Sequence, residues 1–272
     1  MIDFVKLTIK DVDVDYLLKS KHFDFIGVFN RNSGELFENK FEFVDKKIKF
    51  KLYNNSLYVQ GSLHKYKNDG FNNYDVFDFK DLNQVIRTLE NNYKINADDC
   101  IITNLEIGVN LHLNYHPNII LNHLICHRSK RFMDVDVNGN YKQVKHQRYI
   151  IKVYDKGTQY HLNEYMMRYE LKLVKSIQIN KLGIHTLKDI KNKHWHNKAL
   201  EMLVEKWCEI IMFDETIKTY DDKWRNPYFW IELNKHQRKR ELDKYKKALT
   251  ESDNLQLNIS NMIKHKWNEL CY

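Results

Sequence analysis

The chain has 272 residues, 43% of them hydrophobic, which is enough to bury a core and excludes a disordered chain. Two prolines and eight glycines exclude collagen-like and Pro/Gly-rich linker architectures, and no apolar run approaches the ~18 residues of a membrane span. A formal charge of +8 with 17 tyrosines and 14 phenylalanines suits nucleic-acid binding, because cations neutralise phosphates and rings stack on bases; the same Lys, Asn, Ile and Tyr usage also arises from AT-rich coding sequence.

Met1 to Lys6 lacks the basic-then-apolar pattern of a secretion signal, and Cys100, Cys126, Cys208 and Cys271 form no CxxC pair. A cytoplasmic chain with reduced thiols, no membrane association and no zinc knuckle is expected. Short β-rich runs at Phe25–Phe29, Phe41–Val44, Ile48–Tyr53 and Leu57–Leu63 predict strands, the last two joined as a hairpin across Asn54-Asn55-Ser56. Leu82, Val85, Ile86 and Leu89 then predict a helix that starts near Asp81 and ends at Asn91-Asn92. Ile101–Leu113 reads as a long strand. Pro117 opens a short helix over Ile119–Ile125, and Lys130–Tyr141 is irregular, with a turn at Asn138-Gly139-Asn140. Strands follow at Gln147–Asp155 and Tyr165–Val174. Past Gly183 the pattern is helical, with a stripe of Leu200, Leu203, Val204, Trp207 and Ile211 and a basic helix from Asn226-Pro227 to about Thr250. The expected fold is α+β: a mostly antiparallel central sheet flanked by helices over residues 1–180, and a basic helical region over 181–272.

Side chains alternate faces along a strand. Leu105, Ile107, Val109 and Leu111 form a core face; Glu106, Gly108, Asn110 and His112 line the other with metal-ligand types at two-residue spacing. Tyr154 shares a face with Lys152 and Lys156, cations that lower a phenol's pKa and hold a phosphate beside it. Glu170 stands between Arg168 and Lys172. Each strand also has a plain reading, as an amphipathic surface strand, a Tyr–Lys surface pair or a salt-bridged surface ladder. If the strands are neighbours, Glu106, Glu170 and Tyr154 converge, and two carboxylates with Asn110 or His112 suit Mg²⁺ or Mn²⁺. A metal, a tyrosine and lysines on one face are what phosphodiester transesterification needs.

Ile102-Thr103-Asn104-Leu105-Glu106-Ile107-Gly108-Val109-Asn110, Ile151-Lys152-Val153-Tyr154-Asp155-Lys156-Gly157 and Met167-Arg168-Tyr169-Glu170-Leu171-Lys172 resemble the three central motifs of the replication initiation factor (Rep_trans-type) family. Its members are rolling-circle initiators of plasmids and single-stranded DNA phages, and some transposon relaxases. Val59-Gln60-Gly61-Ser62-Leu63-His64-Lys65-Tyr66 and Asn72-Asn73-Tyr74-Asp75-Val76-Phe77 are similar to a further block of phage and plasmid members from Bacteroidetes-like hosts, so the resemblance covers about residues 1 to 190. It implies a relaxase-like nicking-joining endonuclease that cuts one strand of single-stranded or supercoiled origin DNA, stays attached to the 5′ phosphate through tyrosine and leaves a 3′ hydroxyl. A host helicase is the further partner it implies.

Carried across, Tyr154 is the nucleophile with Lys156 beside it, Tyr160 and Tyr165 being the alternatives. Glu106 and Glu170 match the acidic metal ligands. Asn110 stands where many members have a second acid, with His112 as the substitute ligand. His112-Leu113-Asn114 lacks the second histidine of a His-hydrophobic-His signature. Lys152, Arg168 and Lys172 on the strands, with Arg238, Lys239 and Arg240 on the basic helix, are the expected phosphate contacts. The alternatives are a catalytically inactive DNA-binding protein on the same fold, a transposon or plasmid mobilisation relaxase, and a structural phage protein.

Overall fold

Period-two patterning dominates the first two-thirds of the chain, and in the computed structural model it forms an α+β fold built on antiparallel sheet flanked by helices. The structure describes residues 1–215, 217, 219–250 and 254–272. In chain order, β1 (Ile2–Lys10), α1 (Val14–Lys19), β2 (Ile26–Phe29), β3 (Leu36–Asp45), β4 (Ile48–Tyr53), β5 (Ser56–Ser62), α2 (Leu63–Lys67) and α3 (Phe79–Tyr93) lead to β6 (Ile101–His112). There follow α4 (Asn118–His123), β7 (Leu124–His127), β8 (Lys130–Arg131), β9 (Met133–Asp134), β10 (Tyr141–Lys145), β11 (Tyr149–Asp155), α5 (Lys156–Gln159) and β12 (Met166–Leu173). The remainder is α6 (Ser176–Asn180), α7 (Leu187–Ile190), α8 (His196–Cys208), β13 (Ile210–Met212), α9 (Pro227–Glu232), α10 (Lys235–Thr250) and α11 (Leu255–Cys271). No described helix is long and apolar enough to cross a membrane.

Two compact units divide the chain: Met1–Ile107 with Lys172–Ala199 and Leu270–Tyr272, and Gly108–Leu171 with Leu200–Glu269. They interleave along the sequence. The reason lies in β6 and β12, which contribute residues to both; the 12 residues of β6 extend about 40 Å, enough to serve two cores.

In the first unit the strands run β2-β3-β4-β5-β1, and β1 pairs antiparallel with the first half of β6. Ile48, Phe50 and Leu52 of β4 and Leu57 and Val59 of β5 are buried, and Tyr53 pairs with Ser56 across a two-residue loop, Asn54-Asn55. Asn54 takes φ +49°, the left-handed conformation such a hairpin loop needs. In α3 the expected stripe Leu82, Val85, Ile86 and Leu89 is buried, and a reciprocal cap between Asp78 and Asp81 starts the helix. Buried Asp3 accepts from Ser62 Oγ and, at 2.6 Å, from Asn73 Nδ2, so its charge is satisfied inside.

In the second unit the order is β6-β12-β11-β10-β9, with a separate antiparallel sheet β13-β7-β8. Trp224, Trp230 and Tyr245 pack with Ile125, Cys126 and Ile211 into one apolar cluster. The single basic helix expected from Asn226 is two helices here. Asn234 Oδ1 accepts from the backbone N–H of His236 and Gln237, both at 3.0 Å, and so caps a new start at α10.

Candidate active site

β11 alternates as expected: Ile151 and Val153 are buried, while Lys152 and Tyr154 lie half-buried on the opposite face. β12 departs from the expected surface ladder, because Arg168 and Glu170 are both 2% exposed. Glu170 Oε1 accepts from Arg168 Nε at 2.9 Å and from the Tyr154 hydroxyl at 3.2 Å, and Lys152 Nζ reaches Oε2 at 3.4 Å. Arg168 Nη1 donates to Asn110 Oδ1 at 3.1 Å, which ties β6 into the same group. Gly108 is what lets the strands close: a Cβ there would stand 2.3 Å from Tyr169 O and 3.0 Å from Glu170 Cα.

The Tyr-Asp-Lys-Gly motif has a local structural account. Asp155 caps α5, accepting at 2.8 Å from Thr158 N. The chain therefore turns from strand to helix immediately after Tyr154 and folds Lys156 inward, fully buried. Lys156 Nζ lies 5.4 Å from the Tyr154 ring centroid and 5.3 Å from that of Tyr160, within cation–π range of both. A Cβ at Gly157 would meet Glu164 O at 2.4 Å, so a larger residue is excluded. Tyr141 of β10, which the sequence did not single out, brings its ring to 5.1 Å from that of Tyr154. Burial pushes the Glu170 carboxyl up, but the charges of Arg168, Lys152 and Lys156 outweigh it and hold the group well below the usual carboxylate range.

Thus Tyr154, Lys156, Lys152, Arg168, Glu170 and Asn110 come together in one unit. Most of the other expected residues have partners of their own. His112 is exposed, with Nδ1 3.1 Å from Glu164 Oε2. Glu106 lies in the first unit, where its carboxylate meets Lys172 Nζ at 2.7 Å. Arg238 donates to the carbonyl oxygens of Trp230, at 3.1 Å, and Leu233, closing the end of α9; Lys239 and Arg240 are exposed on α10. Tyr165 is exposed and lines a pocket of about 480 Å³ with His116, Asp155 and Glu164; neither His116 nor Glu164 belongs to a motif.

As arranged, these residues do not fit a divalent ion. Glu106 and Glu170 already face cations of the protein, Asn110 Oδ1 accepts from a guanidinium and His112 faces another carboxylate. Among the described residues no group of three or more His, Cys, Asp or Glu is placed to hold a metal.

No family model and no curated protein matches the sequence. Among solved structures the chain is similar to that of a rolling circle replication initiator protein from Geobacillus stearothermophilus, at 13% identity and a TM-score of 0.45 over 85% of this chain and 93% of that one.

Proposed function

We propose that the chain is a rolling-circle replication initiator that nicks and rejoins one DNA strand through a phosphotyrosine at Tyr154. The observation that carries this reading is the hydroxyl of Tyr154, 3.2 Å from a buried carboxylate that also meets Lys152 and Arg168, with Lys156 beside the tyrosine ring. Three motifs resembling those of the family supply these residues, and the net charge of +8 suits a polyanionic substrate.

The proton needs an acceptor. A phenol at its ordinary pKa of ~10 is a poor nucleophile. Glu170 in its present state is a poor base, because three cations stabilise its charge. A scissile phosphate binding over half-buried Lys152 and Tyr154 competes with Glu170 for the cations around it. Burial then drives the Glu170 pKa upward, and the carboxylate accepts the Tyr154 proton as the phenolate forms. The Tyr154 oxygen bonds to phosphorus, the bond from phosphorus to the 3′ oxygen breaks, and that oxygen leaves as a 3′ hydroxyl after taking a proton back from Glu170. The cations bind the charge that develops on the phosphoryl oxygens. Rejoining is the reverse sequence.

Incubation with single-stranded origin DNA, with and without Mg²⁺ or Mn²⁺, followed by denaturing electrophoresis tests the proposal. A covalent adduct supports it. Salt-sensitive binding without an adduct supports the inactive binding protein, a reading that the asparagine at position 110 favours.

A further inference from the structure

The face that carries Tyr154 continues outward over β10 and β9. Directly paired residues of antiparallel strands share a face. Gln143 of β10 is paired with Lys152 of β11, and Met133 of β9 is paired with Gln143. Lys145 lies two residues from Gln143 and so faces the same way. The row Lys152, Gln143, Met133 leads from the Glu170 contact to a cavity of about 470 Å³, lined by Lys130, Arg131, Met133, Gln143, Lys145 and Ile231 among others.

Three of those residues are cationic, and none of the described lining residues is a carboxylate. Gathering like charges without a counterion is unfavourable, so such a cavity is suited to an anion. Two of its cations are positioned rather than loose. Lys130 Nζ donates to the Lys145 carbonyl at 2.8 Å, and Arg131 Nη1 donates to the Tyr228 hydroxyl at 3.1 Å with its guanidinium 5.8 Å from that ring. Beside them Met133, Tyr228 and Ile231 are exposed at 49%, 54% and 37%, an apolar and aromatic border of the kind that bases stack on.

We infer that this cavity is a phosphodiester subsite for single-stranded DNA. Two inter-strand spacings of ~4.8 Å separate Lys152 from Met133, about 10 Å, or roughly three nucleotides at the rise of a stacked strand. The register relative to Tyr154 rests on the nicking reading; the binding itself does not.

The test is binding of a fluorescein-labelled twenty-nucleotide oligothymidylate to the full chain across a salt series, with thermal unfolding as the folding control. Arg131→Gln with Lys145→Gln removes two cations. The slope of log K against log salt should shrink by about 1.4, which is ~25-fold weaker binding at 0.1 M salt relative to 1 M. Met133→Lys adds one cation on a side chain that is half exposed, and should steepen the slope by about 0.7 and tighten binding ~5-fold. If the double variant fails to fold, this gain decides alone. Unchanged slopes overturn the subsite, as does displacement of the oligonucleotide by inorganic phosphate at equal concentration. Adduct formation by the wild type is scored separately: slopes that move without an adduct keep the subsite and sink the nicking reading, and an adduct with unmoved slopes does the reverse.

Discussion

Glu170→Gln keeps the size of the side chain and deletes its charge. Since Glu170 and Arg168 are both 2% exposed with 2.9 Å between them, the substitution takes the Glu170 charge away from a buried guanidinium. Breaking a buried ion pair from one side costs about 3–5 kcal/mol, which for a chain of this size lowers the melting temperature by roughly 10 °C. A carboxylate in a salt-bridged surface ladder, the plain reading of the sequence, would cost far less. The pH dependence has a definite sign. The folded carboxyl titrates below its unfolded value of ~4.3, so its contribution is present above that pH and is lost as pH falls through the folded value. Thermal unfolding at neutral pH should separate wild type from the variant, and the gap should close in acid. Arg168→Met with Glu170→Leu, which removes the ion pair but still leaves Lys152 and Lys156 without their anion, should recover part of the loss. A Glu170→Gln variant within ~0.5 kcal/mol of wild type at neutral pH would mean that the carboxylate is solvated, and the clustering argument would fail.

Arg238→Ala should destabilise by about 1–3 kcal/mol, since it leaves carbonyls at the end of α9 without their donor, whereas Lys239→Ala and Arg240→Ala should change stability by less than ~0.5 kcal/mol in chemical denaturation. If α10 contacts DNA, each of those two exposed cations should account for about 0.7 of the single-strand salt slope; an unmoved slope assigns the helix to solvent. Gly108→Ala should cost about 3 kcal/mol or prevent folding, because its Cβ would meet Tyr169 O at 2.3 Å; a stable variant would place β6 and β12 farther apart. His146 is held at about 4 by burial and by the neighbouring charge of His127, so its neutral form favours the fold above pH ~6.5 and that stability is lost as pH drops toward 4. His146→Gln should make the fall in melting temperature over that window shallower, and an unchanged curve would assign the fall to other groups.

Elements with strong local signals were legible in the sequence. Ile48–Tyr53 forms the expected strand, and the α3 stripe faces the core, because period-two and period-3.6 apolar spacing each leave one way to bury the apolar side. Short elements buried on all sides were not legible. Leu124–His127 and Ile210–Met212 are too brief for a period to show, and they pair with each other across more than eighty residues of sequence. The break between α9 and α10 was present as Asn234 ahead of Lys-His-Gln, but the continuous run of charges masked it. At the candidate site, alternation alone put Lys152 and Tyr154 on one face. That Arg168 and Glu170 are buried partners, and that Lys156 folds under Tyr154, depends on the neighbouring strands and the Asp155 cap, which no single strand's pattern contains.

The most direct test is to locate the adduct. Wild type is reacted with single-stranded origin DNA, digested with trypsin and nuclease, and the nucleotide-bearing peptide identified by mass spectrometry. Cleavage after Lys152, Lys156 and Arg168 places Tyr154 in Val153–Lys156 and both alternative tyrosines in Gly157–Arg168, so the peptide alone discriminates. The nucleotide is expected on Val153–Lys156, and its loss in Tyr154→Phe with a rate reduction of at least ~10³-fold, about 4 kcal/mol of barrier. A nucleotide on Gly157–Arg168, or undiminished adduct in the Phe variant, would contradict it.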